Sequence, residues 1–185
     1  MLSKQGFSLI NLLVVTAIIA IAVFVAVPGL SAGLKQTRVA SEYNQVLTLV
    51  DTARQYALIN RSFVTMCPSA DGETCSRDWM AGILVFVDRN NDQVLGSDDL
   101  LIQYARHRSS QVKLTWRAFR RHHYLNFSRL GWTDHYNGTF RFCIEGDDLQ
   151  FNRALIVSKT GRIRKSTDRN RDGVHEDASG RVLRC

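Results

Sequence analysis

From Phe7 to Val27 the chain runs for 21 residues without a charge, interrupted only by the polar side chains of Ser8, Asn11 and Thr16. At about 1.5 Å rise per residue, a helix of that length spans roughly 30 Å, the depth of a bilayer's hydrocarbon core. A core helix of a soluble domain would carry a polar face, and this run has none. It belongs in a membrane or at the centre of a protein bundle. The flanks exclude an ordinary secretory signal. A short polar leader comes first, the apolar run follows at once, and no small-residue cleavage site lies beyond it. Lys4 before the run, under the positive-inside rule, sends the rest of the chain across the membrane.

Past Pro28-Gly29 a helical period resumes in a different form. Val39, Tyr43, Val46, Val50, Ala53 and Ala57 recur at intervals of four and three, and Arg38, Glu42, Gln45 and Arg54 are read as the opposite, polar face. The expectation is one helix from about Phe7 to Asn60. After Asn60 the period becomes two. Ser62–Cys67, Gly82–Asp88, Leu100–Arg106, Val112–Phe119, Tyr124–Ser128, Thr139–Glu145 and Ala154–Lys159 are short β-branched and aromatic runs between Gly, Asn, Asp and Ser clusters. Strands following one long helix define an α+β fold, with an antiparallel sheet body packed on the amphipathic half of the helix.

Cys67 and Cys75 flank a turn-rich stretch, which leaves Cys143 to pair with Cys185 and tether the tail. The second bridge closes a loop of about 40 residues, worth roughly 3–4 kcal/mol. The spacings do not suit zinc, and two bridges imply an oxidising compartment for the body.

The N-terminal string Gly6-Phe-Ser-Leu-Ile-Asn-Leu-Leu-Val-Val15 resembles the prepilin motif of type IV pilins and type II secretion pseudopilins. In the body, Trp79-Met-Ala-Gly-Ile-Leu-Val-Phe-Val-Asp-Arg-Asn-Asn-Asp92 and Ala154-Leu-Ile-Val-Ser-Lys-Thr-Gly-Arg-Ile-Arg164 are similar to segments of the GspH/FimT/FimU group of minor pilins and pseudopilins. The resemblance implies that prepilin peptidase cuts between Gly6 and Phe7 and that Phe7 becomes an N-methylated terminus. It implies a leader over 1–6, a transmembrane or filament-core helix over 7–28 with Pro28 at the family's kinking proline, an amphipathic continuation over 29–60 and a β-rich periplasmic domain over 61–185. Other minor and major pilins, the peptidase and the inner membrane are then the partners. Asn11 stands where the family carries a Glu that meets a neighbouring subunit's terminal amine. An amide offers that ammonium no charge, which suits a subunit used rarely or at a filament end. The function implied is that of a minor pilin joining the initiating or tip complex of a type IV pilus. The alternatives are a DNA-binding pilin of natural transformation and a pseudopilin of a type II secretion system.

The formal net charge is +7, and Lys159–Cys185, with eight basic and four acidic residues, contributes +4 of it. Within that segment Arg162 and Arg164, two apart on a strand end, are expected on one face about 7 Å apart. Lys159 and Lys165 extend the patch, and DNA phosphates are the ligand considered. The alternative is a solvated turn whose arginines pair with Asp168, Asp172, Glu176 and Asp177. A second basic cluster, Arg117, Arg120, Arg121, His122 and His123, lies beside Trp116 and Phe119, a combination suited to single-stranded nucleic acid or simply a loop around core aromatics. Asp168-Arg-Asn-Arg-Asp-Gly173 matches the start of a calcium loop but has Ser179 where the closing Glu belongs. Asp88-Arg-Asn-Asn-Asp92 has the same start, with Gln93 in place of the glycine. Both strings are also ordinary Asx turns, so no metal and no cofactor is expected. No nucleophile elbow, phosphate loop or zinc-protease string is present, and an enzyme is not expected.

Overall fold

An apolar stretch in a bilayer must satisfy every backbone group internally, and a helix does so. The apolar run and its amphipathic continuation form one helix, α1 (Leu9–Asn60). The computed structural model describes residues 8–107, 109–146, 148–177 and 179–185, with the backbone alone over 25–28. Gly6, Phe7 and the side chain of Pro28 lie outside the described residues. Two compact units divide the chain, Met1–Thr37 and Arg38–Cys185.

In the first unit the polar side chains are dealt with locally. The Ser8 hydroxyl accepts the Ile10 N–H at 3.3 Å, an N-cap. The Thr16 hydroxyl donates back to the Leu12 and Leu13 carbonyls at 3.0 Å, so it presents no unmet donor to an apolar surround. An 18-residue window of the helix reaches a mean hydropathy of 2.9, and none of it is buried within the protein. By length and composition it can cross a membrane.

In the second unit the apolar stripe is the contact face. Val39, Tyr43, Val46, Val50, Ala53 and Ala57 are all buried, joined by Leu49. Eight strands follow: β1 (Val64–Pro68), β2 (Ile83–Val87), β3 (Leu100–Ala105), β4 (Val112–Ala118), β5 (Leu125–Phe127), β6 (Gly138–Ile144), β7 (Arg153–Val157) and β8 (Ile163–Lys165). They form two antiparallel four-stranded sheets, ordered β3-β2-β1-β5 and β4-β6-β7-β8. Seven of the strands fall within a residue or two of the period-two runs. The eighth, β8, replaces what reads in sequence as a charged turn, because three residues, one apolar and two basic, are too short to show a period.

β1 and β2 are buried at every position, so the two central strands of the first sheet are covered on both faces, while its edge strand β3 is not. On one of those faces Cys67, Leu84 and Phe86 pack with Leu95, Tyr104 and Tyr124. The second sheet turns Leu114, Phe140, Phe142 and Leu155 inward, and the Phe142 ring meets Tyr43 of the helix edge-on at 5.4 Å. Trp79 closes the corner against Phe140 at 4.9 Å, with Trp116 at 4.3 Å on the same ring.

One helix position departs from the amphipathic reading. Glu42, assigned to the polar face, is 2% exposed. Its carboxylate lies 2.9 Å from Nδ1 of His107, in the connection from β3 to β4, and Nε2 of the same ring is 2.7 Å from the Val112 carbonyl. Both ring nitrogens face acceptors, so the imidazole is bound as its doubly protonated form. Burial alone would lower the His107 pKa. The hydrogen bond and charge of Glu42, with the Val112 and Ser109 carbonyls, outweigh it and raise that pKa above the usual imidazole value.

Candidate functional site

The C-terminal hairpin of β7 and β8 carries the basic residues singled out in the sequence. Its turn is tight: the Gly161 N–H donates to Ser158 O at 2.8 Å, Ser158 N to Arg162 O at 2.9 Å, and Arg162 N to the Ser158 hydroxyl at 3.0 Å. Lys159, Arg162 and Arg164 are exposed. Among the described residues neither Arg162 nor Arg164 has a carboxylate within ion-pair distance, so the acidic neighbours do not neutralise them. Lys165 does not extend this patch. It is opposite the inward-facing Leu155, whereas Arg164 is opposite Ile156, and adjacent positions on a strand point to opposite faces. The Lys165 ammonium instead lies 5.7 Å from the centre of the Tyr43 ring.

Gly161 is held for a different reason from the arginines. Its φ is +73°, and a Cβ there would overlap the carbonyl oxygen of Gly131. That carbonyl accepts Arg54 Nε of the helix at 3.3 Å, while Thr133 binds the hairpin from the same loop, N–H to Lys159 O and hydroxyl to Ser158 O, each at 3.0 Å. The turn is thereby locked onto the Ser128–Thr133 loop and the helix end.

The acids are engaged elsewhere. Asp168 accepts the N–H groups of Arg171 at 2.6 Å and Gly173 at 2.9 Å; Asp172 accepts Val174 N at 2.8 Å; Glu176 accepts Arg169 N at 2.9 Å. Carboxylate oxygens of Asp168, Asp172 and Glu176 all lie within 4.8 Å of one another. Glu176, which the calcium-loop string does not include as a closing ligand, is the residue that completes this group. Asp177 lies 3.6 Å from Arg141 Nη2 and 3.5 Å from Arg181 Nε. Burial works to raise its pKa, but hydrogen bonds from Ser179 and Arg181 and the Arg181 charge prevail and hold it down at about 2.

The second basic cluster divides. Arg120 and Arg121 sit in a 3-10 turn (Phe119–Arg121), Arg120 over the exposed Phe119 ring at 5.6 Å, with His135 stacked beyond at 6.4 Å. His122 packs on Tyr136 at 4.7 Å, and His123 is exposed. Arg117 belongs to β4 and faces another way, beside Arg141 and Arg181. Sequence spacing gave no sign of that grouping, because it is made by strand register. Disulfides join Cys67 to Cys75 and Cys143 to Cys185, with Cα separations of 5.6 and 6.2 Å. The second ties the tail to β6 and brings Asp177 and Arg181 onto the sheet.

A long N-terminal helix with an apolar first half, packed through its second half on two antiparallel sheets, defines a pilin-like fold. Solved structures agree. The type IV minor pilin FimU of Pseudomonas aeruginosa, in its P21 crystal form, superposes with a TM-score of 0.54 at 19% identity, covering 71% of this chain and 90% of that one. The P65 form gives 0.52 at 19%, covering 69% and 92%. Among functionally curated proteins none matches the sequence. Residues 42–161 match the family described as Type II transport protein GspH, and the chain belongs to that family.

Proposed function

We propose that this protein is a minor pilin that joins the initiating or tip complex of a type IV pilus. The observation carrying the proposal is the conjunction of the family's body fold with a preceding helix apolar on all sides, which has Asn11 exposed where the prepilin motif carries Glu. Prepilin peptidase removes Met1–Gly6 at the inner membrane, Phe7 becomes the methylated terminus, and the body stays on the periplasmic side. The released helix packs with other minor and major pilins. Without a carboxylate at Asn11 a subunit gains little from repetition along a shaft, where each copy would need to meet its neighbour's amine. The test is abundance. Mass spectrometry of sheared filaments should find the chain starting at methylated Phe7 and scarce beside the major subunit, while its deletion sharply reduces filament number. Equal abundance along the shaft, or an intact leader in wild-type cells, would overturn the proposal.

A second reading is favoured by Arg162 and Arg164, which are exposed and have no carboxylate partner among the described residues: a DNA contact for uptake, made through phosphates. Mobility shifts at low salt should then be lost in R162Q/R164Q. The family description also supports a third reading, a pseudopilin in type II secretion, which secretion assays on a deletion strain distinguish from the first.

A further inference from the structure

The second sheet places a row of residues across all four strands. Arg117 of β4 is opposite Thr139 of β6, Thr139 opposite Ile156 of β7, and Ile156 opposite Arg164 of β8. Residues opposite one another share a face, and this face is the one turned away from Phe140, Phe142 and Leu155. Two positions along β6 from Thr139, on the same face, is Arg141. The disulfide-tethered tail then brings Arg181 over it, so that Arg117, Thr139, Arg141, Asp177, Ser179 and Arg181 line one pocket. Two basic segments that are far apart in the chain thus become one surface.

Charge in this pocket is unbalanced. Three guanidinium groups line it with one carboxylate, Asp177, which pairs with two of them and is already saturated. Its oxygens accept the Ser179 hydroxyl at 2.6 Å and the N–H groups of Ser179 at 2.8 Å and Arg181 at 3.1 Å, besides the two arginine contacts. Arg141 is held in place, with its side chain 13% exposed, Nη1 donating to the Arg184 carbonyl at 2.9 Å and a buried Nε that has no partner. Arg117 has no carboxylate within ion-pair distance among the described residues, and the Thr139 hydroxyl has no partner there. The mutual repulsion is felt: burial, then the charges of Arg117 and Arg181, lower the Arg141 pKa against the pull of Asp177. Three guanidinium groups around one saturated carboxylate, with Arg141 held in place, Arg117 and Arg181 exposed beside it and the Thr139 hydroxyl at their side, suit a tetrahedral oxyanion, which takes several N–H donors at once.

We infer that the pocket of Arg117, Arg141 and Arg181 is a phosphate-binding site on the outer face of the second sheet. The same chemistry serves free phosphate or a phosphodiester. The row of strands sets Arg164 about 14 Å from Arg117, at about 4.8 Å per strand, so a chain of phosphates crossing the sheet would meet both. The site does not depend on the filament reading, and its residues are distinct from the Arg162 turn.

The experiment uses the full chain in non-ionic detergent. Thermal unfolding is followed against sodium phosphate, with sodium chloride at matched ionic strength as reference, for wild type, R117Q/R181Q and R162Q/R164Q. Both residues of the first pair are exposed, the Arg181 side chain at 78%. A saturable rise in Tm with phosphate, lost in R117Q/R181Q and kept in R162Q/R164Q, is expected. An equal rise in all three proteins would be a generic salt effect and would overturn the site. Should R117Q/R181Q be markedly less stable without phosphate, R117Q alone, at an exposed strand position, carries the test through a weakened phosphate response. A single-stranded deoxyoligonucleotide, followed by fluorescence anisotropy, separates the sources. If phosphodiesters use the pocket, the slope of log K against log salt falls by about 0.7 for each arginine removed. An unchanged slope together with a lost phosphate response assigns the pocket to free phosphate. An unchanged slope and an unchanged phosphate response remove the proposal.

Discussion

Asp88–Val94 and Asp168–Val174 begin with nearly the same residues and fold almost the same way, yet one is sealed and the other open. In each, the first Asp accepts the N–H of the sixth residue, Gln93 at 3.0 Å or Gly173 at 2.9 Å. In each, the Asn side chain donates to the next Asp, at 2.7 Å in the first loop and 2.8 Å in the second, and that Asp accepts the seventh N–H. A later acid closes both by accepting the N–H of the second residue: Asp99 to Arg89 and Glu176 to Arg169, each at 2.9 Å. The difference lies beneath the first Asp. Asp88 is fully buried and also accepts the Thr65 hydroxyl at 2.7 Å, and Asn126 binds both Thr65, at 2.8 Å, and Asn91, at 3.0 Å. Asp168 has no such floor. A six-residue string therefore specifies the turn, and the strand it follows decides whether its carboxylate is structural.

Removing that carboxylate should separate the loops most. Asp88→Asn puts an amide donor among three donors in a buried site, and a loss of about 2–4 kcal/mol in denaturant unfolding is expected. Asp168→Asn, whose partners can turn to water, should cost under about 1 kcal/mol. Equal losses would mean that burial does not distinguish the loops.

Titration gives a sharper contrast. The donors to Asp88 are a hydroxyl and backbone amides, which keep their protons, whereas the buried Glu42 relies on an imidazolium. With the folded pKa of His107 raised, its contribution is fully present below the unfolded value of about 6.5 and is lost as pH rises through the folded value. Tm should fall between pH 6 and 9 in wild type and in D168N alike, and the fall should shrink in H107Q. A fall of the same size in H107Q would place the titrating group elsewhere.

Backbone strain differs too. Gln93 holds φ +65° in the sealed loop, with its side chain accepting the Tyr124 hydroxyl at 3.1 Å and donating to the Asn91 carbonyl. The open loop uses Gly173 at φ +86°, with open space where a Cβ would go. Gly173→Ala should cost about 1 kcal/mol, from conformation alone. A neutral result would show that the open loop relaxes where the sealed one cannot.

Smallest of all should be the response to calcium. Arg169 and Arg171 interleave with the Asp168 group, and no glutamate closes its twelfth position, so chelation should leave Tm unchanged. A calcium-dependent rise absent from D172N would turn the comparison into one between a turn and an ion site.

The helix, seven strands and both loops were legible because each rests on local periodicity or a turn string. β8 was not, being three residues long beside a charged turn. Glu42 sits at a spacing that reads as solvent-facing, and only the chain reversal after β3, which presents His107, makes its burial tolerable. The basic face of the second sheet depends on which residue of β4 meets which residue of β6, and alternation along one strand carries no information about its neighbour. Lys165 shows the same gap: its parity puts it on the face opposite to the arginine beside it, exposed but over the Tyr43 ring.

Gly161 and its two arginines, read as one string, answer to separate demands. The glycine fits a carbonyl and the arginines face water. Relatives that keep the glycine while exchanging the arginines would preserve the joint and change only what the surface offers. Replacing the glycine would open the joint itself, whereas replacing the arginines would alter only the charge that the surface presents.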